Sequence, residues 1–405
     1  MARLAAWLEQ TSMLWRPAPF HHVVQPWATT HPALHAAIAG LDPAEVDRLH
    51  ADEQALRAWL APFIPGISEL VQWMACERFN PSTASRRSSK VACHAPNRDV
   101  PGRKWAQIEA FAHLALAESD NANEVLDWCA GKSHLGRLIG LHSGLRVRAL
   151  ERDPALCAEA ERLAARDRVA LAAEACDVLS IGDNDRHRKV LTPGTLACAL
   201  HACGDLHLAL LDQVAGQAPS GLLVAPCCYH RTTHEYYLPR SSMGRACGLK
   251  LSREDLRLAV LETCTAGHAQ RESDKRRKTR LLALRYWGGQ NGLIVADYAP
   301  LKDIGRHDDV TAMIRSCERL GWPAPDAGEL EAAISTGRTR AAEVRAFELI
   351  RAAMRRPLES WLVLDMALGL EESGFAVEVG EFCDKTLTPR NLMIRAWRKA
   401  KPVRP

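Results

Sequence analysis

The sequence predicts an α/β fold, a mainly parallel and doubly wound sheet, on three observations. Between residues 124 and 225, short apolar runs of strand length alternate with helix-period segments, the pattern of βα units feeding a parallel sheet. Three of those runs lead into a carboxylate, at Asp127, Glu151 and Asp177, and open sheets of this kind bind ligands beyond the C-terminal ends of their strands. Two late strand-like runs, Phe375–Glu381 and Leu392–Arg398, follow a long helical stretch and read as a closing pair of edge strands.

Residues 1–80 carry helix-period apolar positions interrupted by prolines. At Leu41-Asp42-Pro43, Asp42 suits an N-cap and Pro43 the first helical position. Residues 81–103 are rich in Ser, Pro, Asn and Arg without periodicity and read as a loop or linker. A helix over Trp105–Ala117 then enters a core that occupies residues 104–230. Its strands are expected at Glu124–Trp128, Arg146–Leu150, Val169–Ala172, Leu196–Leu200 and Gly221–Ala225, with helices near Leu135–Leu141, Pro154–Arg166 and Leu206–Ala215. Residues 231–360 read as a mainly helical insertion, and 361–405 hold the closing strands.

With 405 residues, 47% of them hydrophobic, the chain can build a proper core. No run approaches the roughly 18 consecutive apolar residues that span a bilayer, and the first ten residues mix charge into a helical period, so a cytoplasmic protein without membrane association is expected. Thirteen scattered cysteines suit reduced thiols better than a disulfide framework. The net charge of +4 does not by itself declare a nucleic-acid binder, but basic residues concentrate at Arg86, Arg87 and Lys90 and again from Arg271 through Lys275, Arg276, Arg277 and Lys278 to Arg280. Each run reads equally well as a solvated surface.

Val125 to Gly136 reads as a strand, a turn of small residues and a helix start. Small residues let backbone approach a ligand, and the helix N-terminus offers free N–H groups. The dinucleotide fingerprint G-x-G-x-x-G is absent, which disfavours a pyrophosphate. Asp127 suits a cationic amino-acid moiety. Glu151, 24 residues on, is placed to accept both hydroxyls of a ribose, and Asp177, beside Cys176, to reach an adenine amino group. Three such acids on successive strands point to S-adenosylmethionine (SAM). The expected cofactor site comprises Asp127, Cys129, Gly131, Lys132, Ser133, His134, Leu135, Glu151, Cys176, Asp177, His201 and Gly204.

The segments Asp127-Trp128-Cys129-Ala130-Gly131-Lys132-Ser133-His134-Leu135-Gly136, Leu200-His201-Ala202-Cys203-Gly204-Asp205-Leu206 and Pro226-Cys227-Cys228-Tyr229-His230 together resemble a methyltransferase-domain family. It includes the methyltransferase-like 25 proteins and the C-terminal domain of the glutathione-transferase-C-terminal-domain-containing proteins. The last two segments are also similar to elements of the acceptor-stem tRNA 2′-O-methyltransferases. The resemblance covers residues 100–230 and the tail 375–398. It implies a Rossmann-like class I methyltransferase with a seven-stranded sheet, SAM as methyl donor, and tRNA or rRNA as substrate. Ser133 stands where such loops commonly carry Gly; a Ser there can still donate to a ligand.

Residues just after the fourth and fifth strands should face the methyl group: His201 to Asp205 and Pro226 to His230. In one reading Asp205 or a histidine such as His230 aligns or deprotonates the acceptor. In a second, Cys227 or Cys228 attacks a pyrimidine ring. In a third, His201, Cys203, Cys227, Cys228 and His230 ligate zinc, which the lack of a C-x-x-C pair weakens, so no metal is assigned. The fourth is a purely packing role for the thiols. Catalytic candidates are therefore Asp205, His230, Cys227 and Cys228, and substrate candidates are Lys104, Tyr229, Lys385, Arg390 and Asn391. A methyltransferase of proteins or small molecules, or a SAM-binding module without catalysis, are the alternatives.

Overall fold

The computed structural model describes residues 1–80, 100–183, 190–261, 268–294, 304 and 307–398. Arg86, Arg87 and Lys90 lie outside the described residues. The chain divides into two compact units, the first made of Met1–Glu9, Glu69–Glu262 and Arg355–Pro405, the second of Gln10–Ser68 and Thr263–Met354.

In the N-terminal stretch the helices are α1 (Ala2–Gln10), α2 (Ser12–Trp15), α3 (Pro32–Ala39), α4 (Pro43–Ala51), α5 (Glu53–Leu60) and α6 (Leu70–Trp73), followed by a two-residue strand β1 (Glu77–Arg78). Asp42 caps α4 as its sequence predicts, accepting from Glu45 N at 2.9 Å. The first unit then runs through α7 (Gly102–Glu118), β2 (Glu124–Trp128), α8 (His134–Ser143), β3 (Arg146–Glu151), α9 (Pro154–Arg166), β4 (Leu171–Ala175), β5 (Thr195–Cys203), α10 (Asp205–Gln217) and β6 (Gly221–Cys227). Short helices α11 (Ser242–Cys247) and α12 (Arg253–Leu258) follow, and β7 (Phe375–Glu381) and β8 (Leu392–Arg398) close the sheet.

The strand order is β1-β7-β8-β6-β5-β2-β3-β4. Strands β2 to β6 pair in parallel, and β8 is antiparallel to both its neighbours. Seven strands stand where the sequence predicts them, and β1 is an eighth, paired in parallel with β7. It consists of two residues, too short to leave a periodic signal, and it makes β1 rather than β7 the sheet's edge; β8 lies inside the sheet. The third expected strand begins two residues late, because Arg168 takes a left-handed turn (φ 57°) and Val169 N still bonds Ala164 O at 2.9 Å.

Helices α7 and α8 cover the parallel strands. Trp105, Ile108, Phe111, Leu135, Leu138 and Ile139 pack with Val125, Val147, Leu196, Cys198 and Leu223. From β2 the chain steps outward through β3 and β4, then returns to the other side of β2 for β5 and β6. That reversal leaves a crevice at the carboxyl ends of β2 and β5, where this architecture binds ligands.

The second unit brings together two stretches that are far apart in sequence. Arg351 donates to the carbonyls of Trp15 and Arg16, and Trp27 stacks edge-on against Phe347 at 5.9 Å. Its other helices are α13 (His268–Gln290), α14 (Asp309–Leu320) and the first part of α15 (Ala327–Glu372), which continues past Pro357 into the first unit. Ala283, Leu284, Trp287, Met313, Cys317, Leu330 and Ala333 form the core of that helical layer.

Candidate functional site

The loop between β2 and α8 is organised from below. Asp127 ends the apolar run of β2 and is only 3% exposed. Its Oδ2 accepts from Ser133 Oγ at 2.7 Å and Gly136 N at 2.9 Å. Burial raises its pKa to about 6, against the lowering by those two donors. Gly136 has no room for a side chain, since a Cβ there would come within 2.6 Å of Ser133 Oγ and 2.9 Å of Asp127 Oδ2. The rest of the turn uses left-handed residues, Cys129 (φ 54°), Gly131 (φ 56°) and Ser133 (φ 47°). The sequence leads one to expect Asp127 and Ser133 to face a ligand; they face each other, because a buried carboxylate needs donors and the loop provides them.

At the next strand, Glu151 is half-buried. Its Oε2 accepts from Gly131 N at 2.9 Å and its Oε1 from Asp153 N at 3.0 Å. Each oxygen keeps a second lone pair. Asp177 follows β4 in an exposed position, and Cys176 beside it is buried. Burial pushes the Cys129 thiol up to about 12, and the charges of Glu151, Asp127 and Asp177 together with the Cys203 thiol add to it. Carboxylates predicted from three separate strands thus all act on the one thiol of Cys129.

Across the reversal, β5 and β6 end in a knitted pair of loops. Gly204 N bonds Cys227 O at 3.0 Å, Asp205 N bonds Arg231 O at 3.0 Å, and Arg231 N bonds Cys228 O at 2.8 Å. Gly204 (φ 57°) is required there, as a Cβ would overlap the Arg231 carbonyl oxygen. Asp205 Oδ2 accepts from Thr233 N at 2.9 Å, while its Oδ1 is buried with no hydrogen-bond partner. His230 Nδ1 is likewise buried and unpartnered, and burial lowers the pKa of its ring. His201 (φ 69°) and Cys228 (φ 49°) add two more left-handed positions. Strain of this kind, worth about 1–3 kcal/mol at each residue, persists only where surrounding structure enforces it, and it concentrates at functional sites.

Residues 103–235 match the family model of a methyltransferase domain. The match covers about a third of the chain and spans β2 to β6, including every loop described above. A structural likeness is found to coclaurine N-methyltransferase bound to N-methylheliamine and SAH, with 18% identity and a TM-score of 0.25. It covers 55% of this chain and 62% of that protein's length.

Within the matched region several predicted residues have partners or packing inside the protein. Leu135 packs into the sheet core at 5% exposure, leaving only its backbone N–H for a ligand. His134 is buried with Nδ1 3.0 Å from Arg137 Nη2. Lys132 is exposed and 3.9 Å from Glu159. Tyr229 is buried and its hydroxyl donates to Pro226 O at 3.3 Å, while its ring helps line a cavity of about 240 Å³ with Asp205, His207 and Tyr237. Beyond the matched region, Asn391 is fully buried, donating to Cys383 O at 2.9 Å and accepting from Arg356 at 3.0 Å. For His134, Tyr229 and Asn391 a polar atom found its partner inside the protein, which sequence spacing does not reveal.

The charges of Lys104 and Arg390 both act on His201 and add to the lowering that burial causes. Arg390 acts on Cys228 as well, and Lys385 on the buried Glu359 nearby. Three residues outside the quoted motifs matter as well, and so does Gly136, which ends the first motif without an assigned role. Gln107 bridges His201 Nε2 (3.0 Å) and Leu387 O (2.9 Å), and its place on the inner face of α7 was the available signal. Arg231 lies one residue past the quoted motif and acts on Cys228. Gly136 is essential for packing. His207 is 1% exposed, bonds Ala202 O through Nδ1 at 3.1 Å and stands edge-on to Tyr229; burial lowers its pKa to about 4, so it is neutral.

The thiols also converge. The Sγ atoms of Cys203, Cys227 and Cys228 all lie within 4.8 Å of one another, with Cys203 to Cys227 at 3.6 Å. Contacts from the Cys203 and Cys227 thiols, with the charges of Arg231 and Arg390, hold the Cys228 thiol far below its usual range, while Cys227 is pushed up.

Proposed function

We propose that this protein is a SAM-dependent methyltransferase whose acceptor is RNA of the tRNA or rRNA class. The observation that carries the reading is that Asp127, Glu151, Asp177 and Cys203 at the end of β5 all act on Cys129, at the topological reversal of a region that matches a methyltransferase model. The residues fit the cofactor. Glu151 keeps a lone pair on each oxygen for a ribose diol, Asp177 is open to an adenine amino group, and the small Cys129-Ala130-Gly131 turn admits the amino-acid end, with Asp127 bracing that turn from beneath.

The bound cofactor supplies a methyl group already activated on a positively charged sulfur. The protein's task is alignment and removal of a proton. Asp205, fixed through Oδ2 by Thr233, has Oδ1 left to orient the acceptor's O–H or N–H. His230 Nδ1, the other buried atom without a partner, would take up the proton that the acceptor gives up on methylation. His207, held on Ala202 O and against Tyr229, is neutral and carries no charge to compete.

An RNA acceptor is supported by Lys104, Arg231 and Arg390 beside this site and by the motif similarity to the acceptor-stem tRNA 2′-O-methyltransferases and the methyltransferase-like 25 family. In the second unit, Arg271, Lys275, Arg276, Arg277 and Lys278 are exposed along α13. Arg280, expected to belong to that run, instead is buried and donates to Asp309 and to the carbonyls of Ile304 and His307. Among the described residues no helix is long and apolar enough to cross a membrane. Labelled methyl transfer from SAM into RNA, protein and metabolite fractions of a strain lacking this protein tests the reading. Label is expected in RNA; label confined to protein or metabolites would overturn the acceptor, and none in any fraction would overturn catalysis.

A further inference from the structure

We propose that Cys203, Cys227 and Cys228 bind a zinc ion at the carboxyl ends of β5 and β6. The site goes beyond the methyl-transfer reading and stands whether or not that reading holds.

Three features of the chain bring the thiols together. Register slips between Leu200 and Cys203, so that Cys203 becomes the direct neighbour of Cys227 on the adjoining strand. Adjacent residues of an extended strand point to opposite faces, which would separate Cys227 from Cys228. The left-handed backbone at Cys228 (φ 49°) breaks that alternation and keeps both sulfurs on the side of Cys203. A tetrahedral zinc with bonds of about 2.3 Å sets its sulfurs about 3.8 Å apart. The observed spacings, 3.6 Å for one pair and no more than 4.8 Å for the others, lie around that value.

The donor set selects the ion. Three soft thiolates without a carboxylate suit zinc rather than calcium or magnesium. Among the described residues no other His, Cys, Asp or Glu joins the group, so the fourth corner is left to an exchangeable ligand. Cys203 and Cys228 are half-buried, giving the ion a way in, and Cys227 is buried. On binding, the three thiols release their protons to solvent as three S–Zn bonds form, without change of oxidation state. The resulting centre carries one net negative charge, which Arg231 and Arg390, both close enough to act on Cys228, balance.

The test uses the full-length protein loaded with zinc and dialysed, then assayed for metal, with cobalt(II) substituted in parallel as a spectroscopic probe. Stoichiometric zinc and thiolate-to-cobalt charge-transfer absorption in the wild type are expected. Each of Cys203→Ser, Cys227→Ser and Cys228→Ser should lose at least about tenfold in zinc affinity, since even residues that merely support a metal ligand cost that much. SAM titration of the same samples reports folding independently. Zinc uptake without SAM binding would support the metal site and remove the methyl-transfer reading. A wild type that binds SAM but neither zinc nor cobalt, or zinc affinity unchanged by all three substitutions, would overturn the proposal.

Discussion

At Asp127 a carboxylate is held where water cannot reach it, and the consequence is a pH dependence of stability. Its pKa rises from 3.8 to about 6 on folding. A raised pKa means that the folded state binds the proton more tightly, so this contribution is fully present below about pH 4 and is lost as pH rises through about 6. The loss amounts to about 3 kcal/mol. Asp127→Asn keeps an acceptor for Ser133 and Gly136 but cannot ionise. Its stability relative to wild type should therefore rise between pH 4 and 6 in denaturant titrations; a difference that is flat across that range, or falls, would contradict the assignment. His207, lowered from 6.5 to about 4, works in the opposite sense. It favours the fold above pH 6.5 and loses that contribution as pH falls toward 4. A second residue-scale prediction concerns Gly136→Ala, which drives a methyl against Ser133, Val147 and Asp127. Overpacking of this kind costs about 1–3 kcal/mol, and chemical denaturation should show it together with weakened SAM binding.

Among the elements, α13 separates two kinds of arginine that look alike in sequence. Arg280→Ala removes a buried cation with three acceptors and should destabilise the second unit by about 3–5 kcal/mol. Neutralising Arg271, Lys275, Arg276, Arg277 and Lys278 should leave thermal stability nearly unchanged. If α13 meets phosphates, it should also flatten the salt dependence of RNA binding by about one unit of slope for each phosphate no longer neutralised. Melting curves and binding across a salt series check both. The strands of the sheet were legible because a parallel sheet buries both faces and its runs are short, apolar and bounded by turns. Phe375–Glu381 and Leu392–Arg398 agree with the sequence residue for residue. What sequence does not show is where a side chain finds its partner. Asp127, Asn391 and Tyr229 lie at strand ends or in turns, where solvated polar groups are common, yet each is buried against a donor or acceptor within the protein. Cys203 joins Cys227 only through a register shift, which no periodicity announces.

Across the whole molecule the first unit contains every residue proposed to hold SAM or to align the acceptor, from Lys104 to Arg390. Cofactor binding should therefore be independent of the basic face of α13, and the five-residue neutral variant should bind SAM with wild-type affinity. The second unit joins the N-terminal helices to the insertion through Arg351, Trp27 and Phe347. The measurement that bears most directly on the central claim is calorimetric titration of the purified protein with SAM and with its demethylated product, repeated for Glu151→Ala. The account predicts saturable binding of both ligands to the wild type and affinity lower by about ten- to a hundredfold in the variant, the loss of a charge-assisted hydrogen bond. A folded wild type that binds neither ligand, or a Glu151→Ala protein that binds SAM as tightly as wild type, would contradict it.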